Sequence, residues 1–255
     1  MKHYKNYKKV LSILALSLLS GTSMAQVLNA ATGPNKVYIE QIGNTNTVTI
    51  EQTGGTNSIG GVANQTPSNT NYATVNGNSN VVAMVQKGDN NLGQYNIRGN
   101  NNEYTSTVTG NNNKTKLTVG DAQNTSNLRN IITETITGND NTVIQNIIGN
   151  DILSTLTITG DTNEVTKDLK STNGISDVTV TGDGNKLDAE QNDASGANGH
   201  NLKKVIQGNT NSVITQQQGT NDTTVDIKAN GNNNTITVRT TSASTITNPR
   251  TAVAR

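Results

Sequence analysis

Residues 35–60 read NKVYIEQIGNTNTVTIEQTGGTNSIG, and one phrase occurs in them twice. Asn46, Val48, Ile50 and Gln52 alternate with polar residues, Gly54 follows, and the phrase restarts at Asn57, eleven residues after it began. Alternation with period two is the signature of a strand with one buried face. Glycine then allows the backbone to turn, and the Asn- and Thr-rich residues after it suit positive φ or Asx-turn geometry. A unit of one strand and one turn cannot bury its own face, so it must stack on copies of itself.

The period continues along the chain. Eighteen units can be started between Asn35 and Asn234, among them units at Asn57, Asn69 and Asn80, with insertions after Asn57, Asn113, Asn185 and Asn211 read as longer loops. Positions two, four and six after each start are mostly Val, Ile, Leu, Tyr, Met or Gln, as in Val143, Gln145 and Ile147. Pro67 falls in an insertion, while Pro34 and Pro249 flank the array, so no proline interrupts an expected strand. The expected fold is therefore all-β: a parallel β-solenoid with two strands per coil, about nine coils, over residues 35–240. Equivalent positions in successive coils form ladders, in which asparagine amides bond up and down and offset the cost of their burial.

Composition narrows the function. Lys2, Lys5, Lys8 and Lys9 precede the apolar run Val10 to Leu19, and Ser23-Met24-Ala25 is a small-x-small cleavage site. Residues 1–25 thus read as a secretory signal peptide and 26–34 as an N-terminal segment, while the tail 241–255 keeps no repeat. The apolar run is too short to span a bilayer, and no later segment approaches the roughly 20 residues needed, so no transmembrane segment is expected in the mature chain. Loss of the leader removes four of 19 basic residues and none of 18 acidic ones, taking the net charge from +1 to −3. That balance argues against nucleic acid. There is no cysteine, phenylalanine or tryptophan, so neither disulfides nor a thick aromatic core can hold the fold.

The phrase Gln-x-Gly-x-x-Asn occurs at Gln41-Gly43-Asn46, Gln52-Gly54-Asn57 and Gln86-Gly88-Asn91, and it resembles the curlin repeat. Curlin-repeat proteins are the subunits of curli, the extracellular functional amyloid of bacterial biofilms. The resemblance implies a fimbrium-like location at the cell surface or outside it, and fibres that serve adhesion and matrix building. It also implies passage through a curli-type outer-membrane export channel, a nucleator, and self-association into fibres. Gln41, Asn46, Gln52, Asn57, Gln86 and Asn91 become the candidate self-assembly ladder, with Gly43, Gly54 and Gly88 at its turns. Later units place Ile97, Val108, Ile136, Ile158, Val180 and Ile206 where the glutamine stood, which keeps a buried strand position and loses the amide.

A second pattern lies on the outward positions. Thr105, Thr107 and Thr109 recur as Thr133, Thr135 and Thr137, as Thr155, Thr157 and Thr159, and as Thr179 and Thr181. Aligned on a flat sheet they would form a threonine array, similar to the Thr-x-Thr rows of ice-binding solenoids, although threonine is also simply a good exposed strand residue. This array supports the alternative function, a monomer that binds ice or polysaccharide. The other face, with Lys114, Lys116, Glu164, Asp168, Lys186, Asp188 and Glu190, reads as solvated. Asp89, Asp140, Asp161 and Asp183 read as turn formers rather than calcium ligands, because each turn offers about one carboxylate. His200 stands at an asparagine-equivalent position and reads as a turn residue, and no nucleophile–base motif is present. Neither catalytic residues, nor a metal, nor a cofactor is expected.

Overall fold

A computed structural model describes residues 13–16, 24–31, 35–60, 73–120, 129–193, 199–219, 224–241 and 246–247. Asn69, the three prolines and most of the expected leader lie outside these residues. The strands, in chain order, are β1 (Ile13–Leu16), β2 (Met24–Ala31), β3 (Lys36–Ile42), β4 (Thr47–Gly54), β5 (Ser58–Ile59), β6 (Ala73–Asn76) and β7 (Val81–Lys87). Next come β8 (Leu92–Arg98), β9 (Glu103–Thr109), β10 (Lys114–Val119), β11 (Ile131–Thr137), β12 (Thr142–Asn150), β13 (Leu153–Thr159) and β14 (Glu164–Thr172). The last seven are β15 (Ile175–Thr181), β16 (Lys186–Asp193), β17 (Asn201–Gln207), β18 (Ser212–Gly219), β19 (Thr224–Asn230), β20 (Thr235–Thr241) and β21 (Ile246–Thr247).

They stack into two parallel sheets. One sheet, A, runs β1-β3-β5-β8-β10-β12-β14-β16-β18-β20, with β6 also pairing β3 and β8; the other, B, runs β2-β4-β7-β9-β11-β13-β15-β17-β19-β21. The chain thus alternates between sheets, one strand in each per coil, and the fold is the expected all-β solenoid with about nine coils between Lys36 and Thr241. Strand burial alternates as the even spacing requires, for example buried Ile132, Glu134 and Ile136 between more exposed neighbours in β11. The core is a thin slab of these inward side chains from both sheets.

Three features depart from the sequence reading. Ser58–Ile59 and Ala73–Asn76 occupy one level of sheet A, because β5 and β6 each pair with both β3 and β8. The insertion therefore leaves from the middle of a strand rather than from a turn. Residues 57–60 and 73–79 make one unit where the expected starts at Asn57 and Asn69 count two, and a second unit would put every later strand in the other sheet. Gly60 marks the exit, with φ +68 and room for no Cβ beside the Tyr38 carbonyl oxygen. Second, the ladder runs past both expected boundaries: β1 pairs with β3 and β2 with β4 at one end, and β21 pairs with β19 at the other. Third, the insertions at 121–128, 194–198 and 220–223 all lie where sheet A hands the chain to sheet B, so the opposite edge of the rod stays regular.

That regular edge is built on glycine. Gly54, Gly88, Gly110, Gly138, Gly160, Gly182, Gly208 and Gly231 close successive coils, all with φ between +103 and +132. A Cβ on Gly160 would stand 2.2 Å from the Gly182 carbonyl oxygen of the next coil. Stacking and dihedral both demand glycine there. Gly184 is different: at φ +64 its Cβ would meet nothing nearer than the Thr210 methyl at 3.5 Å. Gly184→Ala should cost about 1 kcal/mol, the ordinary penalty of left-handed backbone. Gly160→Ala adds a backbone collision and should cost about 3 kcal/mol or more. Chemical denaturation of the two variants followed by circular dichroism checks the ranking, which equal losses would refute.

Candidate assembly and binding surfaces

Asparagine at the start of a strand is buried because its side chain folds back under the turn of the next coil. In sheet A, Asn91 donates through its backbone N–H and its Nδ2 to Asn57 Oδ1, at 2.9 and 3.1 Å, and Asn113 does the same to Asn91 at 3.0 and 3.1 Å. The chain of bonds begins at Asn35 Oδ1, which accepts from the Asn57 N–H at 2.9 Å, and it continues without a gap through Asn141, Asn163, Asn185 and Asn211 to Asn234. The second amide proton of Asn91 goes to the Gly110 carbonyl at 2.7 Å, so asparagine and the glycine turn form one network. In sheet B the ladder runs Asn46, Asn80, Asn102, Asn130 and then stops at Ile152, whose N–H still donates to Asn130 Oδ1 at 3.0 Å. His200 occupies the same position further on, buried, with its carbonyl accepting the Ile175 N–H at 2.9 Å.

The turns carry a second ladder of opposite polarity. The Gly55 N–H donates to Asp89 Oδ1 at 2.6 Å, that of Asp89 to Asn111 at 2.8 Å, and the pattern passes through Asn139, Asp161, Asp183 and Asn209 to Asn232. In the strand-start ladder the later coil donates; in the turn ladder the earlier one does. Asp89, Asp161 and Asp183 are thus acceptors for turn backbone, and Asp140 sits at φ 55. Among the described residues no three His, Asp or Glu side chains gather to hold a metal ion, and no helix is long and apolar enough to cross a membrane.

Glutamine is less regular. Gln52 Nε2 donates to Gln86 Oε1 at 2.9 Å inside sheet B, whereas Gln41 lies in sheet A beside Val75. The structure therefore unites two of the three glutamines expected in the ladder and separates the third. It also pairs Gln191 with Gln217, both buried, in the later coils of sheet A.

Three charged side chains in the core escaped the sequence reading. Glu134, Lys167 and Lys204 each stand at the middle inward position of a strand and are fully buried. Glu134 accepts from Ser106 Oγ at 2.9 Å, Gln145 Nε2 at 2.8 Å and the Tyr104 hydroxyl at 3.3 Å. Burial pushes its carboxyl above the usual range, against these three bonds. Lys167 Nζ donates to Ser154 Oγ at 2.7 Å, and Lys204 Nζ to the Asp188 carbonyl at 3.1 Å. Burial brings both lysines down to about 7, with Lys167 adding to the effect on Lys204. Strict counting from the unit starts would have found them, because inward position depends on spacing and not on polarity.

The outward side of sheet B presents the threonines in register. Thr105, Thr133 and Thr155 form one column, Thr107, Thr135, Thr157 and Thr179 the next, and Thr109, Thr137, Thr159 and Thr181 a third. Beside them runs an aliphatic column absent from the sequence reading, Ile131, Leu153 and Ile175, exposed to 46, 44 and 39%. The charged residues expected on the other face do point outward from sheet A.

Models of protein families, curated proteins and solved structures were all compared with the chain, and none matches it.

The buried lysines make stability depend on pH. Between about pH 7 and 10.5 the unfolded chain binds protons at Lys167 and Lys204 that the folded chain does not, so stability rises with pH. Above about pH 10 the tyrosines reverse the trend, since burial pushes Tyr95 up to about 12 and the folded state keeps its proton longer. Glu134, raised from 4.5, contributes a fall in stability as pH increases through the lower, acidic range. Denaturation midpoints should therefore climb from pH 7 to about 9.5. Lys167→Met, of similar length and uncharged, should flatten that climb and stabilise the chain most at pH 7; an unaltered slope would show that Lys167 does not titrate there.

Proposed function

We propose that this chain is a structural subunit of a curli-like extracellular fibre, secreted and extended by end-to-end stacking of rods. The observation that carries this reading is the complementarity of the two rod ends. Asn35 Oδ1 is already used by Asn57, and each later asparagine offers its own Oδ1 to the next coil. At the far end, Asn234 donates back to Asn211 through both its N–H and its Nδ2 at 2.9 Å, leaving the place of the next donor to a following coil. Among the described residues nothing pairs with the outer edge of β20, where Ile236 and Val238 are only partly buried. Another copy entering with Asn35 and β3 would continue ladder, sheet and core in one step.

The expected leader bears on the same point. Cleavage after Ala25 would remove β1 and the first two residues of β2, and so uncover the edge of β3 that β1 pairs with. Processing on export would then expose the growing edge. The repeats at Gln41–Asn46, Gln52–Asn57 and Gln86–Asn91 support that family reading, together with export through an outer-membrane channel and a role in biofilm matrix and adhesion.

The second reading, a monomer that recognises ice or polysaccharide, is favoured by the register of the threonine columns. Purified residues 26–255 separate the two. Under the fibre reading they form fibres with a 4.7–4.8 Å meridional reflection, and Asn234→Ala slows elongation by about tenfold, the equivalent of one lost hydrogen bond at the docking edge. A protein that stays monomeric and shows thermal hysteresis would refute the fibre and support the second reading.

A further inference from the structure

One of the four outward columns of sheet B has a symmetry that the repeat does not require. The column through Thr107 reads, coil by coil, Glu51, Val85, Thr107, Thr135, Thr157, Thr179, Val205, Lys228. Read backwards it is the same column, except that the charges at its two ends have opposite sign. The centre of this palindrome lies between β11 and β13, in the middle of the threonine array.

From this we infer that two copies of the chain pair laterally, sheet B against sheet B, about a twofold axis parallel to the strands and centred between β11 and β13. Such an axis reverses the rod direction while leaving the strand direction unchanged, so each column faces its own counterpart in reverse order. Glu51 then faces Lys228 of the second copy, Val85 faces Val205, and threonine faces threonine across the four central coils. In the aliphatic column, exposed Ile131 faces Leu153. Glu103 faces Ile175 in that same column, which borders the turns, so the carboxylate can reach water at the rim. Asp177, Lys203 and Asp226 of the neighbouring column alternate in sign along one rod and face Thr105, Ala83 and Thr49 of the second copy.

Size and period point to the same occupant. Eight coils at about 4.8 Å and seven-residue strands at about 3.3 Å per residue give a face of about 900 Å² per copy, or about 1,800 Å² in the pair, within the range of stable specific interfaces. Another copy shares the spacing between coils by construction, so side chains that mesh at one coil mesh at all eight. The pairing shields the exposed Ile131 and Leu153 from water, which an array of threonine alone would not need. End-to-end growth uses the sheet edges and leaves this face untouched, so pairing and fibre extension are independent of each other.

The chain has no cysteine, which makes crosslinking a direct test. Val85→Cys and Val205→Cys are both on half-buried outward positions. A bis-maleimide crosslinker of about 10 Å, the spacing of facing sheets, should link the two variants mixed into a dimer in high yield, and either variant alone should give little, because equivalent residues in the pair lie about five coils apart, roughly 24 Å. Glu51→Lys should weaken dimerisation measured by sedimentation at least tenfold, and Glu51→Lys with Lys228→Glu should restore it. Crosslinking of Val85→Cys to itself would mean rods paired in the same direction and would overturn the proposed axis. A monomer in sedimentation that adsorbs to ice or polysaccharide would overturn the pairing itself, while loss of fibres with the crosslink retained would count against end-to-end growth alone.

Discussion

Each coil of this protein lies about one strand spacing above the last, and the whole structure depends on that distance. In a parallel, in-register stack every side chain sits on its own counterpart, so each position in the repeat must tolerate a like neighbour. Asparagine does so by accepting from the coil that follows and donating to the glycine turn, as Asn57, Asn91 and Asn113 show. Glycine does so by having nothing to collide with, as at Gly138 against Gly160. A residue that could not meet its copy at this distance would break the rod at that coil.

The same constraint explains where irregularity is allowed. Insertions gather on the edge where sheet A passes to sheet B, and the one that leaves a strand does so at Gly60, between two segments that still complete a level. The opposite edge admits none, because its glycines and the Asx ladder through Asp89, Asn111 and Asn139 are locked coil to coil. Function follows from what stacking leaves over. Among the described residues the outer edge of β20 keeps no partner, the outer side of sheet B is largely uncharged through its central coils, and the outer side of sheet A is charged and mixed.

Buried charge is the exception that the stack accommodates. Glu134 meets Ser106 and Gln145 rather than another acid, and Lys167 and Lys204 lie on opposite sheets. Placing them in different coils avoids a column of like charges, and hydrogen bonds to Ser154 and to the Asp188 carbonyl hold the two amines. Their presence costs stability that aliphatic residues would not, so the core is less uniform than the repeat suggests.

Strand, turn and face were legible in the sequence, because alternation in β4 and glycine at Gly54 and Gly88 are local properties of one unit. So was the threonine array, since a fixed period carries each outward residue onto its copy. Parity was not: Asn57 and Asn69 look like two starts, and only pairing of β5 and β6 with the same neighbours shows them to be one level. Nor was the separation of Gln41 from Gln52 and Gln86, which follows from alternation between sheets. The sequence by itself determined that this chain builds a stacked parallel solenoid, because periodicity and turn chemistry act within a unit. Only the tertiary structure decided which residues become neighbours across coils, because register depends on where each insertion leaves and rejoins the ladder.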